Sequence, residues 1–280
     1  MIDLSNIADP PSPWGRRTLI EGEITAVRIG PRDLWFAHRN GEVWIATRNP
    51  PHDVDPASFY SGTPDPSPPA GVHWMRWVAP SGESTIVLRP TFPDRLLVLD
   101  PDSPFHLLPR AEARVFVRVP LWVRVELVRR QESGTALVLE EFPTVLLSDT
   151  WWGDFMEGEL AYWIPTTARR EMHLNLFAPH LAVCSLVIAN LADTELRVEK
   201  LAVRSTQLSI FARGNALWSD TAQVTYRGDE EDTIVEVTGR SPDEAKGGTL
   251  VTRPRSPLLK GFRARSFGRL LTLSGMGGSS

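Results

Sequence analysis

The run Leu186-Val-Ile-Ala-Asn-Leu-Ala-Asp-Thr-Glu-Leu-Arg-Val-Glu-Lys-Leu-Ala-Val203 decides the fold class. Its first residues are apolar and rich in β-branched side chains, a polar turn follows at Asn190 to Glu195, and Leu196 and Val198 then alternate with Arg197 and Glu199. Alternation with a period of two is the signature of a strand with one buried and one wet face. The stretch is therefore read as a β-hairpin.

The same pattern recurs on both sides of it. Short apolar or alternating runs occur at 24–29, 34–37, 43–46, 72–78, 85–88, 96–99, 114–119, 122–127 and 136–139, and again at 158–164, 173–177, 183–189, 208–211, 222–226 and 233–237. The 24 prolines and 20 glycines fall at short intervals, which leaves little room for helices, because proline removes a donor and clashes inside one. The expectation is an all-β chain of two β-sandwich halves, immunoglobulin-like or jelly-roll-like. It comprises a disordered N-terminal arm at 1–13, an N-terminal sandwich at 14–146, a C-terminal sandwich at 147–270 and a flexible tail at 271–280. One short C-terminal helix is expected at Ser241 to Lys246, where serine supplies an N-cap, Pro242 the first helical position, and Asp243 and Glu244 the first-turn acids. The proline-rich stretch from Pro50 to Gly71 is read as an exposed excursion.

Composition narrows the function. At 280 residues, with 42% hydrophobic and 23% charged residues, the chain can bury a substantial core. A formal net charge of -4 supplies no basic footprint for nucleic acid. The single cysteine, Cys184, excludes an internal disulfide and multi-cysteine metal sites, and it sits in an apolar run as a buried hydrophobe would. No stretch approaches a membrane span, so no membrane insertion is expected and the cytoplasm is the expected compartment. Dinucleotide and phosphate loops, the Gly-x-Ser-x-Gly elbow and the His-Glu-x-x-His pair are all missing, and the six histidines have no metal-type spacing. No cofactor and no metal are expected.

One segment stands out. Leu147 to Arg170 holds three tryptophans, one tyrosine, four acids and two arginines, and its candidate binding residues are Asp149, Trp151, Trp152, Asp154, Glu159, Tyr162, Trp163, Arg169 and Arg170. In an extended chain Trp151 and Trp152 point to opposite sides, so one can anchor the core while the other faces an interface. Three readings stay open. The aromatics fill the seam between two sandwiches, with arginine paired to Asp149 or Asp154; or they form a surface for a protein partner or self-association; or, with the acids Asp149, Asp154, Glu157 and Glu159, they serve a carbohydrate-active protein, either a sugar binder or a carboxylate-dependent hydrolase. Asp94-Arg95 reads as a structural ion pair or turn clamp.

Several phrases together resemble a bacterial and archaeal family catalogued as domain of unknown function 432. They are Trp14 to Arg16, Ile29 to Trp35, Pro90 to Val98, Val119 to Val123, Leu147 to Gly153, Gly158 to Tyr162 with Thr167 to Arg169, and Leu217-Trp218. The family pattern has phenylalanine at the position of Trp152 and cysteine at that of Ala161. The resemblance implies no activity, substrate or cofactor; it marks the Asp149 to Arg170 segment as a family signature. The leading expectation is a non-enzymatic interaction or accessory module.

Overall fold

The computed structural model describes residues 2–3, 11–50, 60, 64–79, 84–128, 135–153, 155–156, 158–166, 169–171, 177–228, 233–256 and 262–264. Strands take 59% of the chain and helical turns 3%, so the mostly-β expectation holds. The runs at 24–29, 222–226 and 233–237 form strands with those bounds. The run at 173–177 lies almost wholly outside the described residues, as does the 271–280 tail.

The strands form five sheets. Two use only residues before 147. One is antiparallel and runs in the order Ile2–Asp3, Thr135–Pro143, Trp122–Val128, Ser84–Thr91 and Gly15–Leu19; the other is the meander Ile24–Ile29, Arg32–Arg39, Glu42–Arg48 and Trp74–Val78. The other three mix strands from both sides of that position. Ser148–Trp152, Glu159–Thr166, Leu96–Pro101 and Leu201–Val203 make a four-stranded sheet, and Phe105–Leu107 pairs with Leu196–Val198. In the largest sheet Leu181–Asn190 pairs antiparallel with Glu112–Pro120 and parallel with Ala216–Ser219 and Ala222–Tyr226. A single apolar cluster accordingly runs from Trp14 to Val251.

The hairpin expectation at Leu186–Val203 is corrected. Its two arms do not pair with each other: the first joins Glu112–Pro120, while Leu196–Val198 joins Phe105–Leu107 and Leu201–Val203 joins Leu97 to Leu99. Asn190 gives the physical reason. Fully buried, its Nδ2 donates to the carbonyls of Leu107, Leu108 and Thr194, and its Oδ1 accepts from the Ala192 amide. A buried amide settles where its hydrogen bonds can be made, and these lie beside the Phe105–Leu107 strand, so the chain turns there. The alternation survives this change of partner, since Leu196 and Val198 are buried and Arg197 is exposed.

The C-terminal helix expectation is also corrected. The chain makes one 3-10 turn, Asp243–Ala245, with Pro242 ahead of it and no side-chain cap. Ala245 is fully buried against Phe116, Val183 and Trp218, and Gly247 follows at φ +80°, a conformation that ends helical geometry. Among the described residues no helix is long and apolar enough to cross a membrane.

Side-chain ties fasten the strand Thr249–Thr252 and the residues after it to the first sheet. Arg89 and Glu126 form a buried ion pair with Nε to Oε2 at 3.0 Å, and Arg89 also donates to the Val251 carbonyl. Thr252 Oγ1 donates to the Pro90 carbonyl and Arg255 Nε to that of Phe92. Cys184 is buried as expected, and burial pushes its thiol up to about 12. The described part of the 50–71 excursion is largely exposed; Trp35 Nε1 donates to the Asp65 carbonyl at 2.8 Å, and the Tyr60 ring meets the buried His180 edge-on at 5.5 Å.

Candidate interaction surface

The Leu147–Arg170 segment folds around the antiparallel pair Ser148–Trp152 and Glu159–Thr166. Its register sets Asp149 opposite Tyr162, Trp151 opposite Leu160 and Trp152 opposite Glu159. Neighbouring residues of a strand point to opposite faces, and the two tryptophans show it: Trp152 is 6% exposed and belongs to the core, while Trp151 is 51% exposed. Ala161 and Ile164 are buried from the second strand, and Leu160 stands out at 44%. In the connection between the strands Phe155 and Met156 are exposed, and Gly153 at φ +103° starts the turn.

Of the ten large apolar side chains exposed among the described residues, five fall here: Trp151, Phe155, Met156, Leu160 and Trp163. Scattered singly such residues mean little, whereas contiguous ones mark contact surfaces.

Charged ties hold the patch in place. Arg95 Nη1 donates to Asp149 Oδ1 at 3.0 Å and its guanidinium lies 5.1 Å from the Tyr162 ring centre, while Tyr162 Oη donates to Asp94 Oδ1 at 3.1 Å. Partial burial pushes the Tyr162 phenol up to about 12, with the charge of Asp94 acting in the same direction and Arg95 opposing. The loop carrying Asp94 and Arg95 is pinned from below by Ser205, whose buried hydroxyl donates to the carbonyls of Pro93 and Arg95. A second ladder continues behind Tyr162. Its ring centre lies 6.3 Å from that of Trp122, Arg255 stands 5.5 Å over Trp122, and Glu141 accepts from both Arg255 and Arg124. Glu159 accepts from Arg204 through both oxygens at 2.6 and 3.1 Å, and Trp163 Nε1 donates to Asp100 at 3.0 Å.

The nine sequence candidates thus separate. Asp149, Trp151 and Tyr162 share the outer face of one strand pair, to which Leu160 is added. Trp152 points the other way, and Glu159 and Trp163 sit at the flanks on their own partners. Arg169 is placed through its backbone, which exchanges hydrogen bonds with Phe116; Arg170 is exposed; Asp154 lies outside the described residues. The arginine that pairs with Asp149 is Arg95, a residue from a distant loop, and neither Arg169 nor Arg170 takes that place. Asp94-Arg95 is a clamp as expected, but its grip is on the aromatic segment. Sequence reading passed over Phe155, Met156 and Leu160, whose signal was an apolar pair between two glycines and a leucine two residues after the second, and Arg204, which sits 45 residues from Glu159.

Asp149 and Glu159 each accept charge-assisted hydrogen bonds from an arginine, Glu159 through both oxygens, the stronger kind of side-chain contact. Among the described residues no group of three His, Cys, Asp or Glu side chains is arranged to hold a metal ion.

The model of the family described as Protein of unknown function (DUF432) matches residues 13–272. The chain belongs to the DUF432 family. The DUF432 match covers the clamp loop, the strand pair and the Arg255 ladder alike, so all parts of the surface lie inside the family unit. No curated protein and no solved structure matches the chain.

Proposed function

We propose that this DUF432 protein is a non-enzymatic interaction or accessory module that engages a protein partner through the face carried by Ser148–Trp152 and Glu159–Thr166. The observation that carries the reading is the concentration of exposed apolar side chains at Trp151 and Leu160 on the strand pair and at Phe155 and Met156 in the turn between them, with the pair tied to its surroundings by the Arg95–Asp149 and Arg204–Glu159 contacts. Aromatic residues on a preorganised support are what binding hot spots are made of. The expected compartment is the cytoplasm, in keeping with a lone thiol and no disulfide. A photo-crosslinking amino acid at position 160 tests the reading in cells. A discrete adduct that disappears when Trp151 is changed to lysine supports it; an absence of adducts, with the labelled protein folded, refutes it.

The exposure of Trp151 also favours a second reading, a carbohydrate-active protein acting as a sugar binder, since an exposed indole can stack on a sugar face. The hydrolase form of that reading loses support from the arginine partners of Asp149 and Glu159. Binding on a glycan array that is lost in Trp151→Ala would select it over a protein partner.

A further inference from the structure

Ser148–Trp152 is the terminal strand of its sheet, and among the described residues no strand pairs with its outer edge. An open edge is a template for pairing with another chain, and proteins commonly block it with charge, proline or bulges. Gly15–Leu19, which ends a neighbouring sheet, carries Arg16 and Arg17. In Ser148–Trp152 the one charge, Asp149, is paired with Arg95, and beside it stands the 51% exposed Trp151.

From this we infer that the occupant of the edge is a second copy of the same chain, paired antiparallel about a two-fold axis through Thr150. The inference rests on the interaction-surface reading above and names its partner. The register follows from the chemistry of three short alternatives. A two-fold through Asp149 would set two aspartates directly opposite, a destabilising pair. A two-fold through Trp151 would set Asp149 opposite Gly153 and leave each Arg95–Asp149 pair without a facing side chain. A two-fold through Thr150 sets Trp151 of each copy opposite Asp149 of the other, on the outer face that both share. Each indole then meets the Arg95 guanidinium that Asp149 holds, a favourable cation–π arrangement. The two Trp151 side chains become diagonal neighbours, a separation that aromatic groups bridge. The surface is self-complementary under that axis, as a closed dimer requires, and the result is one continuous sheet of twice four strands.

The axis also makes a geometric demand that cysteine chemistry can read. Residues directly opposite in an antiparallel pair have Cα atoms about 4.5–5.5 Å apart, within disulfide span. Only position 150 faces itself. Thr150→Cys is therefore expected to form a covalent dimer on mild oxidation, whereas Ser148→Cys, which faces position 152, is not; the native Cys184 is fully buried and contributes no background. In sedimentation equilibrium the wild-type chain is expected to show a reversible monomer–dimer equilibrium, weakened roughly tenfold or more in Trp151→Lys, with all variants melting close to wild type. A wild-type chain that stays monomeric as concentration is raised overturns the inference, as does a dimer that Trp151→Lys leaves unchanged or oxidation that links both cysteine variants equally. A monomeric wild type whose position-160 crosslinker captures a different protein overturns the self-pairing alone; a monomer with no crosslink removes the interaction surface as well.

Discussion

The strands Leu181–Asn190 and Ser148–Trp152 represent two ways of using a β-strand. All ten residues of the first are buried, with strands on both edges. In the second only Trp152 is buried, and one edge has no strand beside it among the described residues. The first reads in sequence as a near-continuous apolar run, as strands covered on both faces do. The second reads as Ser-Asp-Thr-Trp-Trp, a mixture that belongs neither to a core nor to a loop. Buried on both sides, a strand has its role settled by packing; at the end of its sheet, Ser148–Trp152 is paired with one strand, Glu159–Thr166, among the described residues.

The contrast is sharpest between adjacent tryptophans, and the largest effect is expected from the inner one. Trp152→Ala removes a large side chain from the continuous core and is expected to cost about 3–5 kcal/mol, read as a lower midpoint in urea with unchanged slope. A loss below about 1 kcal/mol would mean that the strand is not anchored as described and that both tryptophans are surface residues.

The next effect concerns charge inside the large sheet, against the solvated charge of the edge. Asp220 is fully buried where Ala216–Ser219 leads into Ala222–Tyr226, and burial pushes its carboxyl up to about 7 from 3.8, opposed by the Ser209 amide, which donates to it at 3.1 Å. The folded state therefore binds this proton more tightly than the unfolded state. The group's stabilising contribution is complete below the unfolded value near 3.8 and is lost as pH rises through about 7, with a slope of at most about 1.4 kcal/mol per pH unit. Asp220→Asn lacks this dependence, so its melting temperature relative to wild type is expected to rise between acidic and mildly alkaline buffer. Parallel pH profiles for the two proteins would show that Asp220 titrates normally.

These regions also differ in how far the sequence reveals them. Strands covered on both faces, such as Leu181–Asn190, were legible because composition alone marks them, and Cys184 could be placed inside on the same ground. Pairing was not legible. Asn190 looks like an ordinary turn residue until its partners at Leu107 and Leu108 are known, and those lie more than eighty residues away. The candidate surface was half legible: a dense aromatic cluster is visible in one dimension, and adjacent residues on a strand must face opposite ways. Which tryptophan faces out depends on the register, which puts Trp152 on the face of the buried Ala161 and Trp151 opposite the exposed Leu160 of the neighbouring strand. The clamp was visible as Asp94-Arg95, yet its target, Asp149 and Tyr162, is set by the parallel pairing of Glu159–Thr166 with Leu96–Pro101, a long-range choice that no local pattern encodes.

At the edge itself, ion pairs are expected to matter little for stability. Glu159→Gln breaks the contact with Arg204, which is partly exposed on both sides, and pairs of this kind contribute roughly 0.2–1 kcal/mol. Thermal melts should show a small decrease that shrinks with added salt. A loss of several kcal/mol would place this pair in the buried class, with Arg89 and Glu126.

The smallest effect is expected one residue from the largest. Trp151→Ala leaves the core untouched, because the side chain that reaches the core from this strand is that of Trp152; a surface change of this kind stays within about 0.5 kcal/mol. That near-neutrality separates the two explanations of the aromatic cluster. If the tryptophans fill a seam, truncating either one opens a cavity and both variants melt early. If the cluster is built for contact, only Trp152 carries the fold, and Trp151 can be removed at almost no cost to the isolated chain. Chemical denaturation of the two single variants at a concentration low enough to keep the chain monomeric measures the difference directly. A large gap between them assigns anchoring to one face of the strand and leaves the other face to recognition, while equal losses return the whole segment to the core.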